Sequence, residues 1–448
     1  VATQLFFPPG PQKSLLLGNA PELQRNPLQF MFDSARAYGE FVHFRFGPSH
    51  AYLLTNPSHA HYVLAERPEL FTERINVFRS LNSAFGHDLF PPSERMQPRQ
   101  YQRALFQPRW LEAWVPEIAA LAAEKVASWP QHGTADILDD LKQLTLHIVA
   151  RVLLDTPATD LADRICAVMA TMPELADRSF HTPLTLPDWL PTRATRQRAE
   201  LTETIRDILR EQQASASEHR GLLAQMAQAA EERGGKGLAA QVREEAVELF
   251  LAGHETTAHT LGWALHLLAQ NPEALETLVE EVDRVLAGGP LTLADADQLV
   301  MTEMVVRETL RLYPPAWLVS RQARRETRIG SYYLPSGSTV YISPYIMQRS
   351  ARYFVTPEAF IPERFAAGCD RRMPRNAYMP FGAGPRAQLA QPVALLQTKL
   401  LLAVIVRRLA LEPGAGVPVE AEPGLTLRPR GRLALRWQER TSAPVNTP

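Results

Sequence analysis

The sequence predicts a mainly α fold with small β-sheets, an α+β architecture, on three observations. From about Trp110 to Leu312, apolar residues recur at the three- and four-residue spacing of helices. Short runs of alternating β-branched and aromatic residues flank that region on both sides. A last long helix, about Pro392 to Leu409, leads into a short β-rich tail.

In chain order, Phe6-Phe7-Pro8-Pro9-Gly10-Pro11 reads as a stiff, turn-rich entry, followed by a helix near Pro27 to Tyr38. His43 to Arg45 and Ala51 to Thr55 carry the alternation of a small peripheral sheet, with Asn56-Pro57 as the turn before another helix. Pro173, the cluster from Pro183 to Pro191, Gly234-Gly235 and Gly288-Gly289-Pro290 divide the helical middle. Strand-like pieces return at about Thr327 to Tyr333 and Thr339 to Ile342, and a proline-bearing meander runs from Pro357 to Pro380. The chain of 448 residues exceeds the usual single-core size. It is expected to form one large mixed domain. β-rich parts fall at about 1–60 and 320–345, a helical core at about 95–312, a binding loop and last helix at about 380–409, and a loose tail at about 440–448.

Composition narrows the function. Apolar residues make up 45%, charged residues 21%, and the formal net charge is −1, which gives no bulk electrostatic basis for binding nucleic acid or an anionic membrane. The two cysteines, Cys166 and Cys369, are too few for a disulfide framework, form no CxxC pattern and fit a reducing compartment. Apolar stretches fall short of the ~20 residues that span a bilayer, and the start has no basic region followed by a long apolar run. A cytoplasmic protein with no membrane span is expected.

Three motifs stand in fixed order. Ala252-Gly253-His254-Glu255-Thr256-Thr257 interrupts an apolar helix from about Ala239 to Gln270 with a glycine and four polar side chains, which cost helix stability and burial. Glycine lets a flat group approach the backbone, and a hydroxyl beside a carboxylate can break helix hydrogen bonding and pass protons; a hydrated kink is the plainer alternative. Glu308-Thr309-Leu310-Arg311 places Glu308 and Arg311 on one helix face, and Pro362-Glu363-Arg364-Phe365 offers a second arginine for a buried, structural charge cluster. Pro380-Phe381-Gly382-Ala383-Gly384 supplies a tight turn, with Arg386 projecting toward an anion.

Together these segments resemble the cytochrome P450 superfamily of haem-thiolate monooxygenases, collinearly from about Phe7 to Arg436. The resemblance implies haem held between the helix carrying Gly253 and the helix beginning near Leu389. It assigns proton delivery to Glu255 and Thr256, with His254 beside them, propionate contacts to Arg103, Arg321 and Arg386, and shielding of the ligand sulfur to Phe381. Gly253, Gly382, Gly384 and position 388 complete the cofactor-binding set.

Position 388, where the family presents its ligand cysteine, is Gln388. Ala390 stands for a glycine, Arg99 for a propionate-bonding tryptophan or histidine, and Gln348 for a frequent histidine, so the iron site is expected to have decayed or been reassigned on an intact scaffold. A glutamine carbonyl is neutral, hard and a poor haem ligand, while a cysteinate pushes electron density onto iron. Haem is therefore expected to be absent or weakly held, with no other cofactor and no metal site indicated. Cys369 offers no obvious replacement. His254 lies where it could reach iron from the opposite side, but the same string occurs in family members with a normal sulfur; His259 and His266 read as packed or solvated helix residues.

The leading expectation is loss of ordinary monooxygenation with a lipophilic small-molecule pocket or a partner surface kept. Related cysteine-lacking members help glycosyltransferases, so a glycosyltransferase or other pathway enzyme is a candidate partner; a redox partner is required only if haem binds. The alternatives are a non-redox isomerase, cyclase or lyase using Glu255, Thr256 and His254, and a haem-dependent monooxygenase or peroxygenase with a non-cysteine ligand. The segments expected to line the entrance, about Ile75 to Pro91 and Met172 to Thr192, are apolar and proline-rich and fit a lipophilic ligand.

Overall fold

The structure is a computed structural model that describes residues 6–12, 14, 17–73, 108–154, 238–288, 291–369, 373–388, 390–414, 419–424 and 426–440. Helices α1 (Ala20–Arg25) and α2 (Pro27–Tyr38) open it. Asn26 caps α2 by accepting from the Gln29 N–H at 3.1 Å, and Pro27 at the first position needs no partner for a missing donor. Strands β1 (Phe41–Phe46) and β2 (Ser49–Leu54) form a hairpin. The Asn56 side chain then accepts from the N–H groups of Ser58 and His59 and starts α3 (Pro57–His61), which runs into a π-wound turn, Tyr62–Glu66, and β3 (Phe71–Glu73).

The helical layer comprises α4 (Pro108–Ala127), α5 (Leu138–Leu154), α6 (Leu238–Gln270), α7 (Pro272–Val285), α8 (Leu293–Gln298) and α9 (Val300–Leu312). Its first two helices are separated by β4 (His132–Asp136). After α9 come β5 (Val319–Ala323), β6 (Thr327–Ile329), β7 (Tyr332–Leu334), β8 (Thr339–Ile342) and the short α10 (Pro344–Met347). The chain closes with α11 (Gln391–Arg408), β9 (Leu409–Pro413), β10 (Ala421–Pro423), β11 (Leu427–Pro429) and β12 (Ala434–Glu439). A mainly helical fold with several small sheets is what the sequence predicts.

Sequence distance separates most of the pairings. The largest sheet has the order β1-β2-β8-β5-β3, joining the first and fourth hundreds of the chain, and a second has the order β4-β12-β9. The fully helical middle expected from periodicity is thus interrupted by β4, whose sequence His132-Gly133-Thr134-Ala135-Asp136 has no strand pattern and pairs only because β12 lies beside it. Strand β5 opens the β-rich part expected at about 320–345 and gains its ladder from β8 and β3.

Helices α4, α5, α6, α7, α9 and α11 bury one continuous core, in which Val115, Ile118, Leu141, Leu265, Val305 and Leu401 are almost wholly excluded from water. Helix α6 runs about 50 Å at 1.5 Å per residue and serves as the axis against which α5, α9 and α11 pack. The start of α9 has no side-chain cap of its own, and Glu281 of α7 supplies one by accepting from Met301 N–H at 2.6 Å and Thr302 N–H at 2.9 Å.

The expected charge cluster is formed. Glu308 and Arg311 are fully buried; Glu308 Oε2 accepts from Arg311 Nε at 2.7 Å and Oε1 from Arg311 Nη2 at 2.8 Å. Arg364 Nε reaches Glu308 Oε1 at 3.2 Å and the Ile361 N–H reaches it at 2.9 Å. The remaining Arg311 donors end on the carbonyls of Gln348, Pro357 and Ala359. Every charge is thereby paired or hydrogen-bonded, the condition for tolerating ions in a dry interior.

Gln348 belongs to this cluster. Its Nε2 donates to the Leu310 and Arg311 carbonyls, both at 3.0 Å, and its Oε1 accepts from the Met379 N–H at 2.9 Å. The expectation that Gln348 marks a loss around the iron site is therefore corrected: its amide is a fully buried scaffold link tying α9 to the strand of chain that enters the 381–388 loop.

Candidate functional site

The site is built on two segments, the motif turn of α6 and the loop from Phe381 to Gln388. In α6 the helix is unbroken across residues 253–257. Its threonine hydroxyls turn back onto the helix: Thr257 Oγ1 donates to the Gly253 carbonyl at 2.7 Å and Thr260 Oγ1 to the Thr256 carbonyl at 2.8 Å. Such back-bonds satisfy a hydroxyl without opening the ladder, so the expected break in hydrogen bonding is replaced by an intact helix carrying polar side chains. Glu255 and Thr256 are half-buried and His254 is buried.

Gly253 meets α5 across the helix interface. A Cβ built on it would stand 3.2 Å from Val149 Cγ2, so the missing side chain faces α5 and allows the two helices to approach. The bare Gly253 thus permits close packing of α5 on α6.

His259 is fully buried, with Nδ1 3.0 Å from Thr426 Oγ1 and no partner for Nε2. Burial, followed by the charges of Lys142, Arg428 and His254, lowers its pKa to about 3, so it is a neutral imidazole tying α6 to the β10–β11 hairpin. His266 lies about two turns further along the helix, its Nε2 3.1 Å from Gln270 Nε2, and burial lowers its pKa too. His259 is packed and His266 half-buried, within the packed-or-solvated reading of the sequence.

The loop is held by its own backbone. Gly382 N–H donates to Met379 O at 3.0 Å, Ala387 N–H to Gly384 O at 3.1 Å and Gln388 N–H to Phe381 O at 2.9 Å. Phe381 is half-buried against the main core, and Gln388 is exposed. Gly384 has φ +75°, and a Cβ there would fall 1.9 Å from the Leu64 carbonyl oxygen and 2.8 Å from Ala65 Cα, so the loop backbone lies directly on the π-wound turn. Gly382 shares the positive φ but has only Ala387 Cα near, at 4.0 Å. Gly384→Ala is therefore expected to lower the urea midpoint clearly more than Gly382→Ala, whose cost is the left-handed penalty of about 1–2 kcal/mol alone. Equal effects would show that the loop does not rest on residues 62–66.

The two described arginines lie on or against adjacent strands of the largest sheet. Arg386 Nη1 approaches the Phe71 carbonyl of β3 at 3.4 Å, and β3 pairs with β5, which carries Arg321. Arg321 Nη1 bonds the Ser320 carbonyl at 2.9 Å, and both side chains are half-buried. Arg103 and Arg99 lie outside the described residues, as do the two expected entrance segments. An open groove of about 410 Å³ is lined by Gly10, Pro11, Gln12, His43 and Phe44, none of them in α6 or the loop. Among the described residues no group of three or more His, Cys, Asp or Glu side chains could hold a metal ion, and no helix is long and apolar enough to cross a membrane.

A polar turn on a long central helix, a buried Glu–Arg–Arg cluster and a glycine-bent loop before the last helix now stand in one fold. The Cytochrome P450 family pattern matches residues 8–435. The chain belongs to the cytochrome P450 family. This P450 is 32% identical over 411 residues to a cyclooctat-9-en-7-ol 5-monooxygenase of Streptomyces melanosporofaciens, covering 90% of this chain and 88% of that one. It is also 32% identical over 435 residues to a cyclooctatin synthase of the same organism, covering 94% of this chain and 91% of the relative. A pentalenene oxygenase of Streptomyces avermitilis is 30% identical over 436 residues, covering 95% of this chain and 96% of the relative.

Membership implies haem, lipophilic substrates and an electron-donating partner. The arginines of this P450 have the chemistry for the anionic edge of such a cofactor: Arg321 lies on β5 and Arg386 reaches the neighbouring strand β3 at Phe71. The donor at position 388 does not suit the thiolate role, because Gln388 offers only a neutral amide.

Proposed function

We propose that this P450 handles a lipophilic, terpene-like small molecule and has lost ordinary haem-thiolate monooxygenation. Gln388 carries the proposal, in a loop that still has the two positive-φ glycines and the backbone bonds that present residue 388. A cysteinate ligand promotes O–O cleavage by donating charge, and an amide oxygen supplies no such charge. The names of the relatives, which modify cyclooctat-9-en-7-ol and pentalenene, support the substrate class. They favour a small-molecule pocket over a helper surface for a glycosyltransferase; stable co-purification with a transferase would reverse that preference.

The test is optical. Absorbance and metal analysis of the purified protein, before and after adding haemin, are expected to show little bound haem and no reduced, carbon monoxide-bound Soret band at the thiolate position. A band at that position would overturn the proposal. Stoichiometric haem with a band elsewhere would support a haem enzyme with another ligand instead.

A non-redox isomerase, cyclase or lyase is the second reading, favoured by the retained Glu255 and Thr256 on an unbroken helix. There Glu255 moves a proton at its carboxylate, Thr256 relays it and His254 is the third member. Loss of turnover in Glu255→Gln with the fold intact supports that reading, and unchanged turnover removes it.

A further inference from the structure

Helices α5 and α6 meet at the motif turn through two α5 residues one turn apart. Thr145 is fully buried, and its hydroxyl donates to the His254 carbonyl at 2.9 Å, while also lying 3.1 Å from the Lys142 carbonyl of its own helix. Val149 sits against the bare Cα of Gly253, 3.2 Å from where a Cβ would be. One contact fixes the spacing of the helices and the other, being directional, fixes the rotation and height of α6 at this turn.

The hydroxyls of Thr257 and Thr260 cannot do this. Thr257 and Thr260 bond within α6, so they travel with it. The Thr145 bond crosses between helices and joins positions 109 apart in sequence. A helical carbonyl already accepts the N–H four residues on, and the hydroxyl uses its second lone pair, so removing it strands no carbonyl. Successive residues advance about 100° around a helix, which puts Glu255 about 200° from Gly253. With Gly253 and His254 held against α5, the directions of Glu255 and Thr256 follow.

We propose that Thr145 is the positioning residue for Glu255 and Thr256, acting through the His254 carbonyl. Its importance for chemistry rests on the role given to Glu255 and Thr256 above, but its effect on Glu255 is measurable without turnover. Thr145→Val keeps the branched shape and removes the donor; Thr145→Ser keeps the donor. Carbon-13 labelling of glutamate, with Glu255→Gln to assign the resonance, reads the Glu255 titration directly, and amide exchange reads residues 254–260.

In Thr145→Val local exchange is expected to rise about tenfold and the Glu255 midpoint to move, with Thr145→Ser close to wild type. Thr145→Ala provides the same comparison if the valine variant does not fold. A Glu255 titration identical in Thr145→Val and wild type would overturn the proposal. Turnover of pentalenene or another terpene probe by Glu255→Gln tests the chemical role separately, so the two ideas fail by different measurements.

Discussion

Glu308→Ala is expected to remove about 3–5 kcal/mol of stability, because it strips a buried arginine of its counter-ion. Arg311 is fully buried, and its carbonyl partners at Gln348, Pro357 and Ala359 carry no formal charge to replace the lost carboxylate. The same change removes the carboxylate partner of the Ile361 N–H and of Arg364 Nε, so the meander loses two of its ties to α9. Domains have net stabilities of only about 5–15 kcal/mol, so the loss is a large share of the total. Urea midpoints followed by tryptophan fluorescence check it, with Glu308→Asp as the milder form whose shorter side chain cannot span Arg311 and Ile361 together. Replacing Glu308 and Arg311 jointly by methionine should cost far less than the two single changes added. A drop below about 1 kcal/mol in Glu308→Ala would mean the cluster is as weak as a surface pair.

Acid is expected to destabilise the fold through His259. Above pH 6.5 the imidazole is neutral in both states, and between 6.5 and about 3 the unfolded chain binds a proton that the folded chain does not. Stability from this group is thus complete above 6.5 and is lost as pH falls toward 3. One pH unit in that window is worth about 1.4 kcal/mol, so wild type should lose about 2 kcal/mol between pH 7 and 5 relative to His259→Gln. The glutamine amide can still meet Thr426 Oγ1, which leaves the β10–β11 hairpin attached while removing the titration. Lys142 of α5, Arg428 of β11 and His254 of α6 all act on His259 in the same direction, against its protonation. Parallel stability curves for the two proteins across pH 5–7 would show that His259 is not held neutral.

Much of the fold could be read locally. Helix α2 was expected at Pro27 to Tyr38, where it lies, because Asn26, Pro27 and Gly39 mark its ends; α6 and α11 were found within a residue or so from apolar periodicity. The Glu308–Arg311–Arg364 cluster was legible because Glu308 and Arg311 share a face and Arg364 comes from the motif already suspected. The site was only partly legible. Gly253 looked like a place for a flat ring, and its neighbour turned out to be Val149, more than a hundred residues away. Gln348 looked like a lost histidine, and its three side-chain partners at Leu310, Arg311 and Met379 give it a different task. Thr145 carried no local signal, since a threonine inside a helix is ordinary until its hydroxyl finds another helix.

The sequence alone determined the family, the mainly helical fold and the chemical identity of position 388, because motif order, hydrophobic period and side-chain type are properties of the chain itself. Only the tertiary structure decided that Gly253 packs on α5, that Gln348 braces α9, that His259 is neutral and that β4 is a strand at all. The reason is physical: burial, directional hydrogen bonds and sheet pairing depend on which distant residues arrive as neighbours, and no short window of sequence contains them.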